Sequence, residues 1–182
     1  MDAITLLTQR RSVPRLSSPA PSGDALNVIL DAGLRAPDHG ALTPWEFIVA
    51  EGDGLDKLSA ILKRAAESDG ASDGIIEKAT NGPFRAPMVI TVIARTKQHD
   101  KVPLVEQYIS AGCAAQAMQM AAVAQGFQGF WRTGNWAYHT EVRAALNVEG
   151  DDAIVGFLYL GSAENTQSSI PKRSRDKFVT YL

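Results

Sequence analysis

Three guanidinium groups and a hydroxyl crowd into Gln9-Arg10-Arg11-Ser12-Val13-Pro14-Arg15, near the start of a chain whose formal net charge is only -2. Guanidinium forks and hydroxyls donate hydrogen bonds to phosphate oxygens, so this stretch is a candidate phosphate grip. Pro14 disfavours the helical region for Val13 and predicts an extended backbone over Arg11 to Val13. In an extended segment alternate side chains share a side, which puts Arg10 and Ser12 together and sends Arg11 and Val13 the other way. A solvated basic turn would use the same residues, so the choice rests on the rest of the chain.

Two more stretches carry an unusual polar inventory. Arg35-Ala36-Pro37-Asp38-His39-Gly40-Ala41-Leu42-Thr43-Pro44-Trp45 has turn chemistry together with several side chains able to bind a ligand. Gly126-Phe127-Gln128-Gly129-Phe130-Trp131-Arg132-Thr133-Gly134 pairs glycines, which permit close approach, with aromatics, an arginine and a threonine. Other chemistries find no support. Cys113 sits in an apolar helical context without a neighbouring histidine, and no G-x-S-x-G elbow is present. There is no Walker pattern and no G-x-G-x-x-G after a strand, so a phosphate would be held by side chains. His39, His99 and His139 lack ligand spacing, and one cysteine gives neither a disulfide nor a multi-cysteine metal site. That combination points to a cofactor that carries the chemistry itself.

The 182 residues, 45% hydrophobic and 21% charged, predict one domain over 1–182. The near-neutral charge offers no field for nucleic acid or an anionic membrane. No leader and no apolar run of membrane length is apparent, and a soluble cytoplasmic chain is expected.

Elements follow from periodicity. Asp2 caps a helix through about Gln9, a second runs from Ser22 to about Gly33, and Trp45 to Ala50 is a strand. Leu55, Leu58, Ile61 and Leu62 mark a helix, and Ile75, Ile76 and Ala79 a shorter one; the pair reads as a surface elaboration. Met88 to Ala94 is a strand covered on both faces. Leu104 to Gln125 is the longest helix, its small residues suiting a core position, a subunit interface, or both. Thr140 caps a short helix through Leu146, and Ala153 to Gly161 is a further apolar strand.

Read in order, these motifs resemble the nitroreductase family, in particular its compact branch. The resemblance is carried by Arg10-Arg11-Ser12, by Arg35-Ala36-Pro37-Asp38-His39 running into Pro44-Trp45, and by Phe84-Arg85-Ala86-Pro87. Ser110-Ala111-Gly112-Cys113-Ala114, the run from Ala121 to Gly129 into Trp131-Arg132, and Val155 to Gly161 complete it. It implies an α+β fold with a central mixed, mainly antiparallel sheet flanked by helices, assembled as an intertwined homodimer with FMN at the interface. Arg10 and Ser12 would grip the FMN phosphate, with Arg11 completing the set. Arg35 and His39 would reach the flavin of the other subunit, and Trp131, Arg132 and Thr133 would line the isoalloxazine edge. Many family members carry an asparagine and a glutamine where this chain has Ala41 and Thr43, and Pro14 displaces by one place the basic residue represented here by Arg15.

The implied activity is hydride transfer from NADH or NADPH through flavin N5 to a small nitroaromatic or quinone-like acceptor in two steps, with no metal. A specialised reductase or dehalogenase on the same fold, with the segment from Arg64 to Thr80 as its lid, and a flavin-binding protein without turnover stay open. So do contacts of Arg15, Arg173 and Arg175 with FMN.

Overall fold

A computed structural model describes residues 2–163 and 174–182; Arg173 lies outside them. The elements in chain order are α1 (Ala3–Gln9), α2 (Asp24–Gly33), β1 (Glu46–Glu51), α3 (Asp53–Ser68), α4 (Asp73–Asn81), β2 (Met88–Ala94), α5 (Leu104–Ala124), β3 (Gln128–Arg132), α6 (Thr140–Ala145) and β4 (Ala153–Gly161). The four strands form one sheet in the order β1-β2-β4-β3, and each neighbouring pair is antiparallel.

The buried central strands explain the order. Every residue of β2 is buried, as its unbroken apolar run requires when both faces are covered. On one face Met88, Ile90, Val92, Leu158 and Leu160 pack against Ile29 of α2 and Ala115, Met118 and Ala122 of α5. On the other, Val89, Ile93, Phe157 and Tyr159 pack against Leu55, Leu58, Leu62, Ala65 and Ala66 of α3, Ala79 of α4 and Val142 of α6.

Two sequence readings need correction. The α3–α4 pair is not a surface elaboration: the apolar stripe of α3 and Ala79 of α4 are part of the core on one face of the sheet. α6 is capped by His139 rather than Thr140, since the His139 ring accepts from the Glu141 N–H at 3.2 Å. By contrast Asp2 accepts from the N–H groups of Ile4 and Thr5 at 3.1 and 3.0 Å and starts α1 as expected.

α1 and α5 leave apolar surface open. Ile4 and Leu7 on α1 are 70% and 60% exposed, and Val105 and Ile109 on α5 are 58% and 60% exposed. Apolar and small residues are spread around α5: one side packs on the sheet and, among the described residues, the side of Val105 and Ile109 is left exposed. No helix among the described residues is long and apolar enough to cross a membrane.

Candidate functional site

The N-terminal segment leaves α1 at Arg10, whose backbone turns extended (φ -55, ψ 144). Arg10 Nη1 then reaches Ser12 Oγ at 3.4 Å, so these two side chains share a side. The Val13 N–H donates to Gly129 O at 3.1 Å and lays the segment along the outer edge of β3. Farther on, the Leu16 N–H donates to Arg85 O at 2.9 Å, and Ser17 pairs with Ser162 beyond β4. Arg10 is half-buried, whereas Arg15 is exposed.

Along an antiparallel strand, successive residues turn their peptide groups to opposite edges. Since Gly129 O faces outward to Val13, the N–H and C=O groups of Trp131 face the same outer edge. Side chains alternate between faces at the same time. Trp131 lies on the α5 face, where its Nε1 donates to Val155 O at 3.2 Å. Its indole occupies the space beside Gly156, where a Cβ would come within 2.1 Å of Nε1. Arg132 lies on the opposite face, its guanidinium 5.5 Å from the Phe130 ring centroid and 5.6 Å from that of Tyr159. The consecutive residues 131–133 therefore serve two faces and one edge rather than a single wall.

Arg132 and Thr133 open onto a cleft of about 640 Å³ on the α3–α4 face. Phe157 and Tyr159 from β4, Asp69 and Lys78 from the α3–α4 layer, and Arg85, Trp136 and His139 are among its lining. Asp69 Oδ1 lies 3.1 Å from His139 Nε2 and ties the α3–α4 turn to the start of α6. Burial pushes the Tyr159 phenol up from its ordinary value, with Arg132 and Arg85 pulling back, so it stays a neutral hydroxyl at physiological pH.

Arg35 and His39 stand apart from this cleft. Arg35 is exposed just beyond α2. His39 Nδ1 lies 2.6 Å from Glu106 Oε2 in the first turn of α5, and Ser110 Oγ donates to Pro37 O at 2.5 Å. These two contacts hold the loop against α5, beside its exposed Val105 and Ile109. Asp38 shapes the same loop by accepting from the N–H groups of Leu42 and Thr43 at 3.1 and 2.7 Å, and Lys97 Nζ donates to Leu42 O at 2.6 Å. That network supports positive φ at Ala41 (51) and Thr43 (48), a region that costs about 1–2 kcal/mol for a residue with a Cβ. Sequence reading took Asp38 only as one residue of a polar loop; its carboxylate organises the turn. It also passed over Lys78 and Tyr159, whose positions in a helix and a core strand carry no local signal, and it treated Arg85 only as part of a motif. Cys113 is a free, half-buried thiol on α5. Among the described residues no group of His, Cys, Asp and Glu is arranged to hold a metal ion.

This α+β arrangement is the nitroreductase-like fold. The chain superposes on the nitroreductase-like protein from Bacillus cereus with a TM-score of 0.82 at 20% identity, covering 100% of this chain and 96% of that one. It superposes on the nitroreductase with bound FMN from Bacteroides fragilis NCTC 9343 with a TM-score of 0.75 at 24% identity, covering 98% and 97%. Identities this low speak to the fold. Sequence speaks to the family: residues 7–162 match the nitroreductase family profile. The chain is also 51% identical over 183 residues, 100% of both chains, to Escherichia coli K12 YdjA, whose name is that of an NAD(P)H nitroreductase. The chain therefore belongs to the nitroreductase family and is an oxidoreductase.

Proposed function

We propose that this chain is an FMN-dependent oxidoreductase that uses NADH or NADPH to reduce nitroaromatic or quinone-like acceptors in two successive half-reactions. The observation that carries the reading is the meeting of the paired Arg10 and Ser12 with the outer edge of β3, fastened by Val13 to Gly129. A guanidinium beside a hydroxyl suits a phosphate, and the outward peptide groups at Trp131 suit the polar edge of a planar heterocycle. The donor set thus fits FMN.

In this reading Arg10 and Ser12 hold the phosphate and Arg11 completes the N-terminal set. Trp131 and Thr133 orient the isoalloxazine edge, with Trp131 fixed by Val155 O and the space at Gly156. Bound there, FMN would supply hydride exchange at N5 between the nicotinamide and the acceptor. Arg132 places positive charge on the cleft side of the same strand, where it favours charge developing on reduction. Arg35 and His39 serve the flavin of a second subunit in a homodimer formed through α5. Support for that assignment is their position beside the exposed apolar side of α5, away from the Arg132 cleft.

The test is an absorbance spectrum of the purified protein before and after anaerobic NADPH. A flavin band that bleaches is expected. A band that persists with either NADH or NADPH overturns the reductase reading, and protein that neither retains nor takes up FMN overturns the cofactor assignment. Steady-state kinetics should give parallel lines for varied NADPH and acceptor; intersecting lines overturn the two-step scheme.

A further inference from the structure

We infer that the cleft between α4 and the turn leading into α6 recognises an anionic, planar aromatic acceptor through Lys78, Arg85 and Arg132 together with the rings of Tyr159 and Trp136. The inference deepens the reductase reading, on which it rests for calling the bound molecule an acceptor.

Its first support is charge. Lys78, Arg85 and Arg132 all line the cleft, and among the described residues none of the three forms an ion pair. Asp69, the carboxylate of the lining, is engaged by His139 at 3.1 Å. Three cations against one carboxylate leave the lining with a net positive charge, which an anionic ligand would balance. The Arg132 guanidinium is positioned by the Phe130 and Tyr159 rings rather than by an acid, so its donors stay available for a bidentate carboxylate contact.

Shape and chemistry give the second. Tyr159, Phe157 and Trp136 supply flat apolar surface in a cleft of about 640 Å³, a size suited to a small aromatic molecule. The buried Tyr159 phenol stays protonated and can donate to a carboxylate. The cleft meets the cofactor-binding strand at Arg132 and Thr133, so a molecule held there lies beside the assigned redox site. The nitro group carries no net charge and has no use for three cations; a second, ionised substituent on the ring does.

The test compares 4-nitrobenzoate with 4-nitrobenzamide, which differ little in shape but differ in charge. Calorimetric titration of the protein should show the carboxylate binding about tenfold tighter, the size of one charge-assisted hydrogen bond. That ratio should fall toward one in Arg85→Gln and in Lys78→Gln, while both variants retain FMN as the parent does. With NADPH, the same ratio should appear in kcat/KM. Equal affinity of the parent for the two compounds overturns the inference. So does loss of FMN from the variants, which would assign these cations to the cofactor phosphate. A charge preference in binding without any NADPH-dependent reduction would instead overturn the reductase reading and leave the anion site standing.

Discussion

At the scale of single residues, three side chains separate grip from decoration. Arg10 is half-buried and paired with Ser12, whereas Arg15 is exposed beyond Pro14. Arg10→Ala is therefore expected to weaken FMN retention at least about tenfold, as removal of a charge-assisted contact does, and Arg15→Ala to leave it close to the parent. Equal retention on gel filtration followed by flavin absorbance would reassign the grip. Gln119 makes a different point. It is 3% exposed over Gly129, and its Nε2 finds no hydrogen-bond partner among the described residues. Gln119→Met keeps the volume and removes the buried donor, so stability should rise by about 1–2 kcal/mol, seen as a Tm gain of roughly 2–8 °C. A lower Tm would show that the amide is satisfied in the assembled protein.

Among the elements, α5 has the double role that its small residues allow. Ala115, Met118 and Ala122 pack against the sheet, while Val105 and Ile109 stand open beside the loop of Arg35 and His39. If that side meets a second copy, Ile109→Glu should weaken dimerisation at least about tenfold, because an apolar contact is lost and a charge must be desolvated. Sedimentation should show monomer, and flavin content should fall with it, since Arg35 and His39 are assigned to the other subunit's site. Unchanged sedimentation would place the interface elsewhere.

For the molecule as a whole, one ionic knot joins the end of the sheet. Arg95 contacts Glu46 of β1 at 2.5 Å, Asp152 before β4 at 2.9 Å and Asn147 O at 2.5 Å. Burial alone would raise the Asp152 carboxyl, but Arg95 and the Thr96 N–H and hydroxyl outweigh it and hold the group below its ordinary value of 3.8. A depressed folded-state pKa stabilises above the unfolded value and loses that contribution as pH falls through the folded one. Asp152→Asn should cost about 1.5–3 kcal/mol at pH 7 in urea unfolding, with the gap to the parent closing below about pH 4. A gap that stays constant from pH 7 to pH 3 would mean that packing, not charge, makes the difference.

The sequence by itself determined the elements whose signal is local and strong. The β2 and β4 runs appear at their expected bounds because continuous burial leaves no other pattern, and Asp2 starts α1 because its carboxylate reaches two N–H groups in the next turn. Pro14 was enough to foresee that Arg10 and Ser12 share a side. The family was legible in the order of the motifs. Tertiary structure alone decided that Trp131 meets the α5 side and Arg132 the side of Tyr159, since strand alternation separates the two side chains without saying what covers each face. It also turned α3 from a surface piece into a core layer and brought Lys78, Arg85 and Arg132 to one cleft. Lys78 and Arg85 lie seven residues apart on α4 and the turn after it, whereas Arg132 is on β3, and only the folding of the α3–α4 layer over the sheet brings Arg132 to the same cleft.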